Sequence, residues 1–397
     1  MVFQEDRLAS LEGLEGCARR LPLPGNPGSE ATARPTTSSQ PLSAKFTNRP
    51  LKEPAAKQGW DGGVSEDEHQ PTACDPEVSP NGVHTWRLEA LTNIWTGNAS
   101  CKGENLVLTG LLGSLRWWFE VLVRGLGGAA CDPNATRCQA KNHCPVCELF
   151  GCTGWARKFR FQVLDETGKT MSSAIAKAAE FQWRFVPLRG IGKEEWALLH
   201  LTFCLIADYG AIGGRTVFKP SDENSRANAQ HPRDYGLVKL LEKPPLGRTD
   251  REILQQYIGG WREVDHDDFA DFAWASLQNF WCVKGKCLAR QNNNNSSYNK
   301  AIGRPEPKSQ ACRGDSWLAG RRPDRQRGVE AESKKVFSFK EPADARRTFG
   351  FVKPGTVSFH QMKERLKQAW PDLKDTDFRT GEAIFEALFK SETGDSR

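Results

Sequence analysis

The hydrophobic pattern divides residues 83–220 into six elements. Apolar and polar residues alternate in four short segments, which is the period of a strand with one buried face. Two longer segments repeat apolar residues every three or four positions, as an amphipathic helix does. The predicted elements are a strand at 83–90, a helix at 110–126, strands at 157–163 and 181–187, a helix at 194–210 and a strand at 217–220.

This order, β-α-β-β-α-β, is the ferredoxin-like (RRM-like) arrangement that many RNA-binding domains share. We therefore predict an α+β protein with one ferredoxin-like unit at residues 83–220. Further helical spacing and short strand patterns favour a second, divergent α+β unit at residues 221–397. The segments are helices at 266–281, 359–370 and 380–389, strands at 336–339 and 348–352, and a polar, flexible insertion at about 290–330.

Residues 1–82 have the composition of a disordered segment. They hold 10 of the 23 prolines but only one of the 13 tryptophans. Such a segment cannot bury enough apolar surface to offset the conformational entropy that ordering would cost. We therefore predict a disordered Pro/Ser-rich extension, with order beginning near Val83.

Charge is unevenly distributed along the chain. Residues 1–82 hold 8 Lys/Arg and 12 Asp/Glu, a net of −4, whereas residues 83–397 hold 47 and 37, a net of +10. This basic excess favours a polyanionic partner for the folded part. No run of about 18 apolar residues is present, and no hydrophobic signal core occurs near residue 1. We therefore expect a cytoplasmic protein without a membrane segment, in which the twelve cysteines are reduced.

Four cysteines occur close together in an insertion at residues 129–152, between the first predicted helix and the second strand. Cys144-Pro-Val-Cys147 has the spacing of a metal knuckle, in which two thiolates around a tight turn bind one ion. Two more cysteines, separated by six residues, lie just upstream and would complete a tetrahedral set. His143 and Cys152 are substitute ligands, and reduced cysteines without metal are the alternative interpretation. We predict one structural zinc on Cys131, Cys138, Cys144 and Cys147.

Basic residues accompany the aromatic positions of the second predicted strand. The segment Arg157-Lys-Phe-Arg-Phe161 resembles RNA-binding sheets, in which aromatic rings stack on bases and cations contact phosphates. The competing interpretation places both phenylalanines in the core. The glycine-rich loop at 210–216 would bind an anion through its backbone amides, or would only end the preceding helix. We predict an RNA-binding surface that includes Arg116, Arg157, Lys158, Arg160, Gly210, Gly213, Gly214, Arg215 and Lys219.

The sequence offers little for catalysis. The glycine-rich loop has neither the Walker spacing nor the GxGxxG pattern, and no HExxH, GxSxG or Cys/His signature occurs. His200 lies ten residues before Gly210, inside an apolar helix, and is predicted to be a core residue. We therefore predict that the protein is not an enzyme.

Several motifs together resemble one family. From about residue 83 to the C-terminus, the chain resembles the RAMP-superfamily subunit one of the Cmr complex, the type III-B CRISPR effector that targets RNA. Residues 1–82 have no counterpart in this resemblance. The motifs are Ile94-Trp-Thr-Gly97, Gly113-Ser-Leu-Arg-Trp-Trp-Phe-Glu120, the segment from Cys144 to Arg157, the Gly210–Arg215 loop, Trp317-Leu-Ala-Gly-Arg321 and Glu332-Ser-Lys-Lys335.

The resemblance implies two ferredoxin-like units, a glycine-rich loop after the last helix of a unit, and RNA binding without nuclease activity. It also implies a subunit that engages the 3′ part of the guide CRISPR RNA and its paired target RNA, beside the other Cmr subunits. Two alternatives stay open. One is a RAMP-type metal-independent endoribonuclease that processes guide precursor RNA, and the other is a stand-alone zinc-containing RNA-binding module.

Overall fold

Two four-stranded antiparallel sheets organise the protein, and two helices lie between them. The computed structural model describes residues 82–392, with gaps at 98–102, 132–137, 141, 215–219, 227–232, 248, 262–271, 293–294, 305–315 and 321–331. The predicted extension therefore lies outside the described residues, apart from Gly82. Within the described part of the chain, no helix is long and apolar enough to cross a membrane.

The described residues form ten strands and eight α-helices. The first half contains β1 (His84–Ala90), α1 (Leu108–Gly125), α2 (Pro145–Phe150), β2 (Phe159–Leu164), β3 (Glu180–Pro187), α3 (Lys193–Tyr209) and β4 (Val238–Glu242). The second half contains α4 (Arg251–Gly259), β5 (Phe280–Lys284), β6 (Arg290–Asn292), β7 (Asn295–Ser296), α5 (Ser297–Ala301), α6 (Ser316–Ala319), β8 (Val336–Phe339), β9 (Arg347–Phe351), α7 (Phe359–Ala369), β10 (Phe378–Thr380) and α8 (Gly381–Glu392).

Sheet 1 has the strand order β2-β3-β1-β4, and each neighbouring pair is antiparallel. Its strands alternate as their sequences predict, with one face buried against α1 and α3. Trp86 and Trp183 both contact Phe203 of α3, with ring centroids 4.8 and 5.0 Å apart. Phe159 and Phe161 also lie on the buried face, which supports the core interpretation of these rings. The opposite face of sheet 1 carries polar side chains.

The fourth strand of sheet 1 is not where the pattern placed it. Residues 217–219 of the predicted strand lie outside the described residues, and β4 pairs with β1 instead, with Val238 opposite Ala90. Sheet 1 therefore extends past the predicted unit boundary at residue 220. The strand is hard to recognise because Leu240 and Leu241 interrupt its alternation, and the pairing shifts register beside Arg87.

Sheet 2 has the strand order β10-β5-β9-β8 and is also antiparallel throughout. The predicted helix at 266–281 is wrong at its end, because Phe280 and Trp281 begin β5, while residues 262–271 lie outside the described part. A strand that is buried on both faces shows no alternation, so its apolar residues matched helical spacing by coincidence. The strands predicted near 336–339 and 348–352 are confirmed as β8 and β9.

Part of the predicted flexible insertion at about 290–330 is ordered. Residues 290–304 form a two-stranded ribbon and α5, apart from 293–294, which are not described. The hydroxyl of the buried Tyr298 donates a hydrogen bond of 2.9 Å to the carbonyl of Val336 in β8. The asparagine-rich sequence concealed this anchor, since a single buried aromatic residue produces no periodic pattern. Residues 305–315 and 321–331 lie outside the described part.

Helices α1 and α3 pack against both sheets. Trp118 of α1 contacts Phe280 and Phe349 of sheet 2, with ring centroids 5.9 and 5.8 Å apart. The guanidinium of Arg347 in β9 donates a 2.7 Å hydrogen bond to the carbonyl of Ala207 near the end of α3. The other face of sheet 2 is covered by α5 and α7. The layers therefore run sheet 1, helices α1 and α3, sheet 2, helices α5 and α7.

Candidate metal centre and basic surfaces

The four cysteines predicted to bind metal come together in one buried cluster. The sulfur atoms of Cys131, Cys138, Cys144 and Cys147 all lie within 4.8 Å of one another, and the Sγ atoms of Cys131 and Cys147 are 3.4 Å apart. A tetrahedral ion with four zinc–sulfur bonds of about 2.3 Å would separate the sulfurs by about 3.8 Å. The cluster therefore has the ligand number, ligand type and approximate size of a four-thiolate metal site.

Local sequence explains the knuckle. Pro145 occupies the first turn of α2, where its fixed φ favours a helix and its missing N–H is not needed. The short helix places Cys144 at its N-cap and Cys147 one turn later. Gly151 ends the helix with φ +86°, and a Cβ there would lie 2.8 Å from the backbone nitrogen of Arg157. A side chain at this position would force the following turn away from the cluster.

Arg116 of α1 holds the cluster against the helix layer. Its Nη2 atom donates to the Sγ of Cys147 at 3.2 Å and approaches the Sγ of Cys131 at 3.9 Å. Its Nε atom pairs with Glu120 at 3.0 Å, and Nη1 donates to the carbonyl of Gly151 at 2.9 Å. The predicted assignment of Arg116 to an RNA-binding surface is therefore corrected, because its guanidinium faces thiols and a buried carboxylate.

The cluster favours ionisation at two of its thiols, because hydrogen bonding from Cys131 also lowers the pKa of Cys138. Hydrogen bonds from Cys131, Cys138 and Cys147 lower the pKa of Cys144 well below its usual range. Thiolate is the form that binds metal, and the positive charge of Arg116 lies beside Cys147 and Cys131 of the same cluster.

The two substitute ligands are directed elsewhere. The Nε2 atom of His143 lies 2.7 Å from Oε2 of Glu148, and its Nδ1 atom contacts the carbonyl of Ala140. The thiol of Cys152 points to the carbonyl of Thr153 at 3.8 Å. Among the described residues, these two are therefore not members of the thiol cluster.

Lys158 also differs from its predicted role on an RNA surface. Its Nζ atom lies 2.6 Å from Oε1 of Glu148 and 2.9 Å from Oε2 of Glu195, and its side chain is only 12% exposed. The amine therefore joins α2 to the first turn of α3. Alternation in the strand predicted an outward side chain, but the insertion folds over this end of β2 and covers it.

The two carboxylates beside Lys158 differ in their environment. Burial raises the pKa of Glu195, although Lys158 and the backbone N–H of Gly192 oppose the shift. Burial also acts on Glu148, but hydrogen bonds from Lys158 and His143 outweigh it and lower the pKa. The amine therefore compensates two buried acids at once.

Of the predicted basic surface, Arg157 and Arg160 are exposed. Arg160 lies on the open face of sheet 1, and Gln162 on the same face is directly opposite Arg184 of β3. Neither Arg160 nor Arg184 has an ion pair among the described residues, whereas Arg87 on this face pairs with Glu180 and Glu242. Sequence reasoning missed Arg184, although its position between the inward-facing Trp183 and Phe185 already indicated an outward side chain.

The glycine-rich loop uses its backbone amides internally. The N–H of Gly213 donates to the hydroxyl of Ser114 at 3.1 Å, and that of Gly214 donates to the carbonyl of Trp95 at 2.9 Å. Gly213 has φ +109°, and a Cβ on Gly210 would lie 2.6 Å from the ring of Trp118. The glycines are therefore required for close packing, and these amides do not form an open anion nest. Arg215 and Lys219 lie outside the described residues.

His200 is a core residue. Its side chain is 2% exposed, and its Nδ1 atom accepts a 3.2 Å hydrogen bond from the indole N–H of Trp86. Its Nε2 atom lies 3.6 Å from the thiol of Cys204. The imidazole is therefore held between two neighbours inside the layer of α3, away from solvent.

Comparison with known proteins places the first half of the chain in a family context. Residues 87–218 match the family model of the RAMP superfamily, which confirms the resemblance to this superfamily over that segment. No curated protein matches the sequence. Among solved structures, the apo form of Cmr1 from Pyrococcus furiosus is similar with a TM-score of 0.39 and 10% sequence identity, over 76% of this chain and 98% of that one.

Proposed function

We propose that this protein is a non-catalytic RNA-binding subunit of a type III-B CRISPR effector complex of the Cmr kind. In this role it engages the 3′ part of the guide RNA and its paired target, in the cytoplasm and beside other subunits of the complex. The RAMP match at residues 87–218 and the sequence motifs support the family context. The β-α-β-β-α-β order of sheet 1 and its packed helices supports the proposal, because this order is typical of the ferredoxin-like domains that bind RNA.

One observation carries the RNA-binding role. Arg160 and Arg184 project from neighbouring strands of sheet 1 onto its open face without a carboxylate partner among the described residues. Aromatic rings of the sheet lie on the other face, so recognition on this surface would depend on phosphate contacts more than on base stacking. Such contacts position an RNA strand without selecting its sequence, as a subunit that accepts many different guides requires.

The thiol cluster is the second part of the proposal, as a site that binds one structural zinc ion. Four thiolates fill a tetrahedral shell and leave no position open for a reacting water, which is typical of structural sites and not of catalytic ones. The ion would hold α2 and the loop around Cys131 and Cys138 against α1, with Arg116 offsetting part of the negative charge. It would supply no chemistry to RNA.

The endoribonuclease alternative has less support. Such an enzyme needs a histidine or an equivalent acid–base group beside the RNA. His200 is buried, with Trp86 at its Nδ1 atom and Cys204 at its Nε2 atom. Burial lowers the pKa of His84, which disfavours its protonated form. A stand-alone RNA-binding module is the second alternative.

The RNA-binding role is tested with the paired substitution Arg160→Glu and Arg184→Glu. Single-stranded RNA binding, followed by fluorescence anisotropy across a salt series, should weaken at least tenfold at about 0.1 M salt. The log-log salt slope should flatten by about 1.4, because each lost phosphate contact removes about 0.7. Lys374→Glu with Lys390→Glu changes the net charge equally at two exposed positions outside the sheet faces and serves as the matched control.

Unchanged affinity and slope in the arginine variant would place the RNA surface elsewhere, and absence of RNA binding by the wild-type protein would refute the role. Complex membership is tested separately by purifying the tagged protein from its native cells and sequencing the bound RNA. Recovery of guide RNAs together with other Cmr subunits is expected. RNA recovered without partner subunits would favour the stand-alone module.

A further inference from the structure

Sheet 2 carries three cations on adjacent strands. Lys284 of β5 lies directly opposite Arg347 of β9, and Cys282, two residues before Lys284, lies opposite Arg379 of β10. Because alternate residues of a strand share a face, the three basic side chains all lie on the face toward α3. Like charges directly opposite one another destabilise a sheet, so this arrangement needs an explanation.

Little negative charge compensates the cluster. Among the described residues, no carboxylate forms an ion pair with Lys284, Arg347 or Arg379. Asp208, near the end of α3, acts on the first two only at longer range. Burial raises the pKa of Cys282 to about 11, so the thiol between the strands is neutral at pH 7. Burial lowers the pKa of Arg347, and partial loss of solvent around the exposed Lys284 lowers its pKa as well.

Arg347 has a structural role that explains why a positive charge is placed in this cluster. The side chain is 5% exposed, and its Nη1 atom donates to the carbonyls of Ala207 and Gly210 at 2.7 and 3.4 Å. These carbonyls end α3, where the helix dipole favours a positive charge. Lys284 and Arg379 make no such contact and are both exposed, so the cap does not explain them.

Tyr209 holds the two exposed cations in place. The Nζ atom of Lys284 lies 4.4 Å from the centre of the Tyr209 ring, and Nη1 of Arg379 donates to its hydroxyl at 3.5 Å. The tyrosine itself is 4% exposed and fixed at the end of α3. Lys284 and Arg379 are therefore oriented by one rigid aromatic side chain and still open to solvent, so little side-chain entropy would be lost when an anion binds.

We propose that Lys284 and Arg379 form a phosphate-binding site for the backbone of an RNA strand, separate from Arg160 and Arg184 on sheet 1. This inference rests on the proposed function, and it adds a contact made by the second half of the chain. Arginine and lysine together suit a phosphate, since the guanidinium offers paired donors and the amine a point charge. The net charge of +10 over residues 83–397 favours a polyanionic occupant, and RNA is the polyanion that the proposed function supplies.

The test uses the full chain with Lys284→Gln and Arg379→Gln. RNA affinity should fall at least tenfold at about 0.1 M salt, and the log-log salt slope should flatten by about 1.4. The Tm should stay unchanged or rise, because the substitutions relieve repulsion with Arg347, whereas a purely structural pair would lower it. The conservative pair Lys284→Arg and Arg379→Lys should retain binding, and Lys374→Gln with Lys390→Gln is the charge-matched control.

A second arm uses inorganic tripolyphosphate and thermal shift, and it separates failure of this site from failure of the proposed function. If the variant binds RNA as the wild type does, the site is refuted while RNA binding stands. Loss of partner subunits with full RNA affinity would assign the pair to an acidic protein surface and also refute it. The wild type could bind no RNA and still be stabilised by tripolyphosphate, while the variant is not. That result would assign the site to free phosphate. The absence of both responses would overturn both proposals.

Discussion

At the scale of single residues, Lys158 is largely buried although the strand pattern predicts an exposed side chain. The amine lies between Glu148 and Glu195, whose side chains are 11% and 3% exposed. Taking three charges out of water is costly, and their attraction offsets that cost only while all partners are present. Removing the central cation would leave two buried carboxylates facing each other.

We predict that Lys158→Met lowers the free energy of unfolding by about 3–5 kcal/mol, because it leaves buried acids uncompensated. Urea denaturation followed by circular dichroism measures the change. Arg160→Met, two residues along the same strand and exposed, is the matched control and should change stability by less than about 0.5 kcal/mol. Adding Glu148→Gln and Glu195→Gln to Lys158→Met should restore much of the loss. An equal effect of the two single substitutions would contradict the burial of this network.

At the scale of elements, the cysteine insertion combines a buried short helix with the thiol cluster. Val146 and Leu149 of α2 are fully buried, and Phe150 packs between Phe119 and Phe159, with ring centroids 5.2 and 5.5 Å away. The thiol cluster also joins Cys131 and Cys138 to α2 and to Arg116. A metal ion would therefore matter locally, while sheet 1 keeps its own core.

We predict that the protein purified without chelator contains one zinc per chain and that Cys144→Ser with Cys147→Ser abolishes it. The insertion should become more sensitive to limited proteolysis, whereas the far-UV circular dichroism of the sheets should persist. Cys152→Ser removes a neighbouring thiol that is outside the cluster and should leave the zinc content unchanged. Elemental analysis of the wild-type protein that finds no zinc would refute the site.

The sequence predicted those elements whose burial produces a regular pattern of apolar residues within the element itself. One face of β1, β2 and β3 is buried, so alternation located them, and the Cys144–Cys147 spacing indicated a cluster that the fold then assembles. Both faces of β5 are buried, so its pattern was ambiguous. The positions of Arg116 and Lys158 depend on an insertion that folds back over them, and no local pattern records such a contact. The alternation of β3 indicated that Arg184 points outward, but no sequence motif marked it as a candidate for binding.

At the scale of the whole molecule, the polar face of sheet 1 and the cations Lys284 and Arg379 are exposed, whereas the His143–Glu148 pair is buried. We predict that the purified chain does not cleave guide precursor RNA or complementary RNA, with or without Mg²⁺ or Mn²⁺. A metal-independent route would need a histidine with access to the 2′-hydroxyl, and His200 is enclosed in the core. Gel analysis of labelled RNA measures this. Cleavage by the wild-type protein that disappears in His200→Ala would instead support the endoribonuclease alternative.

The position of α1 and α3 between the two sheets has a consequence for how the chain folds and for how it can be divided. Trp118 contacts strands more than 150 residues away along the sequence, and Arg347 of sheet 2 ends a helix that belongs to sheet 1. Neither half would have a closed core if it were expressed alone, since each would expose the apolar surface that the other covers. The described chain should therefore denature in one cooperative transition, and fragments separated near residue 242 should aggregate singly and regain solubility only when they are refolded together.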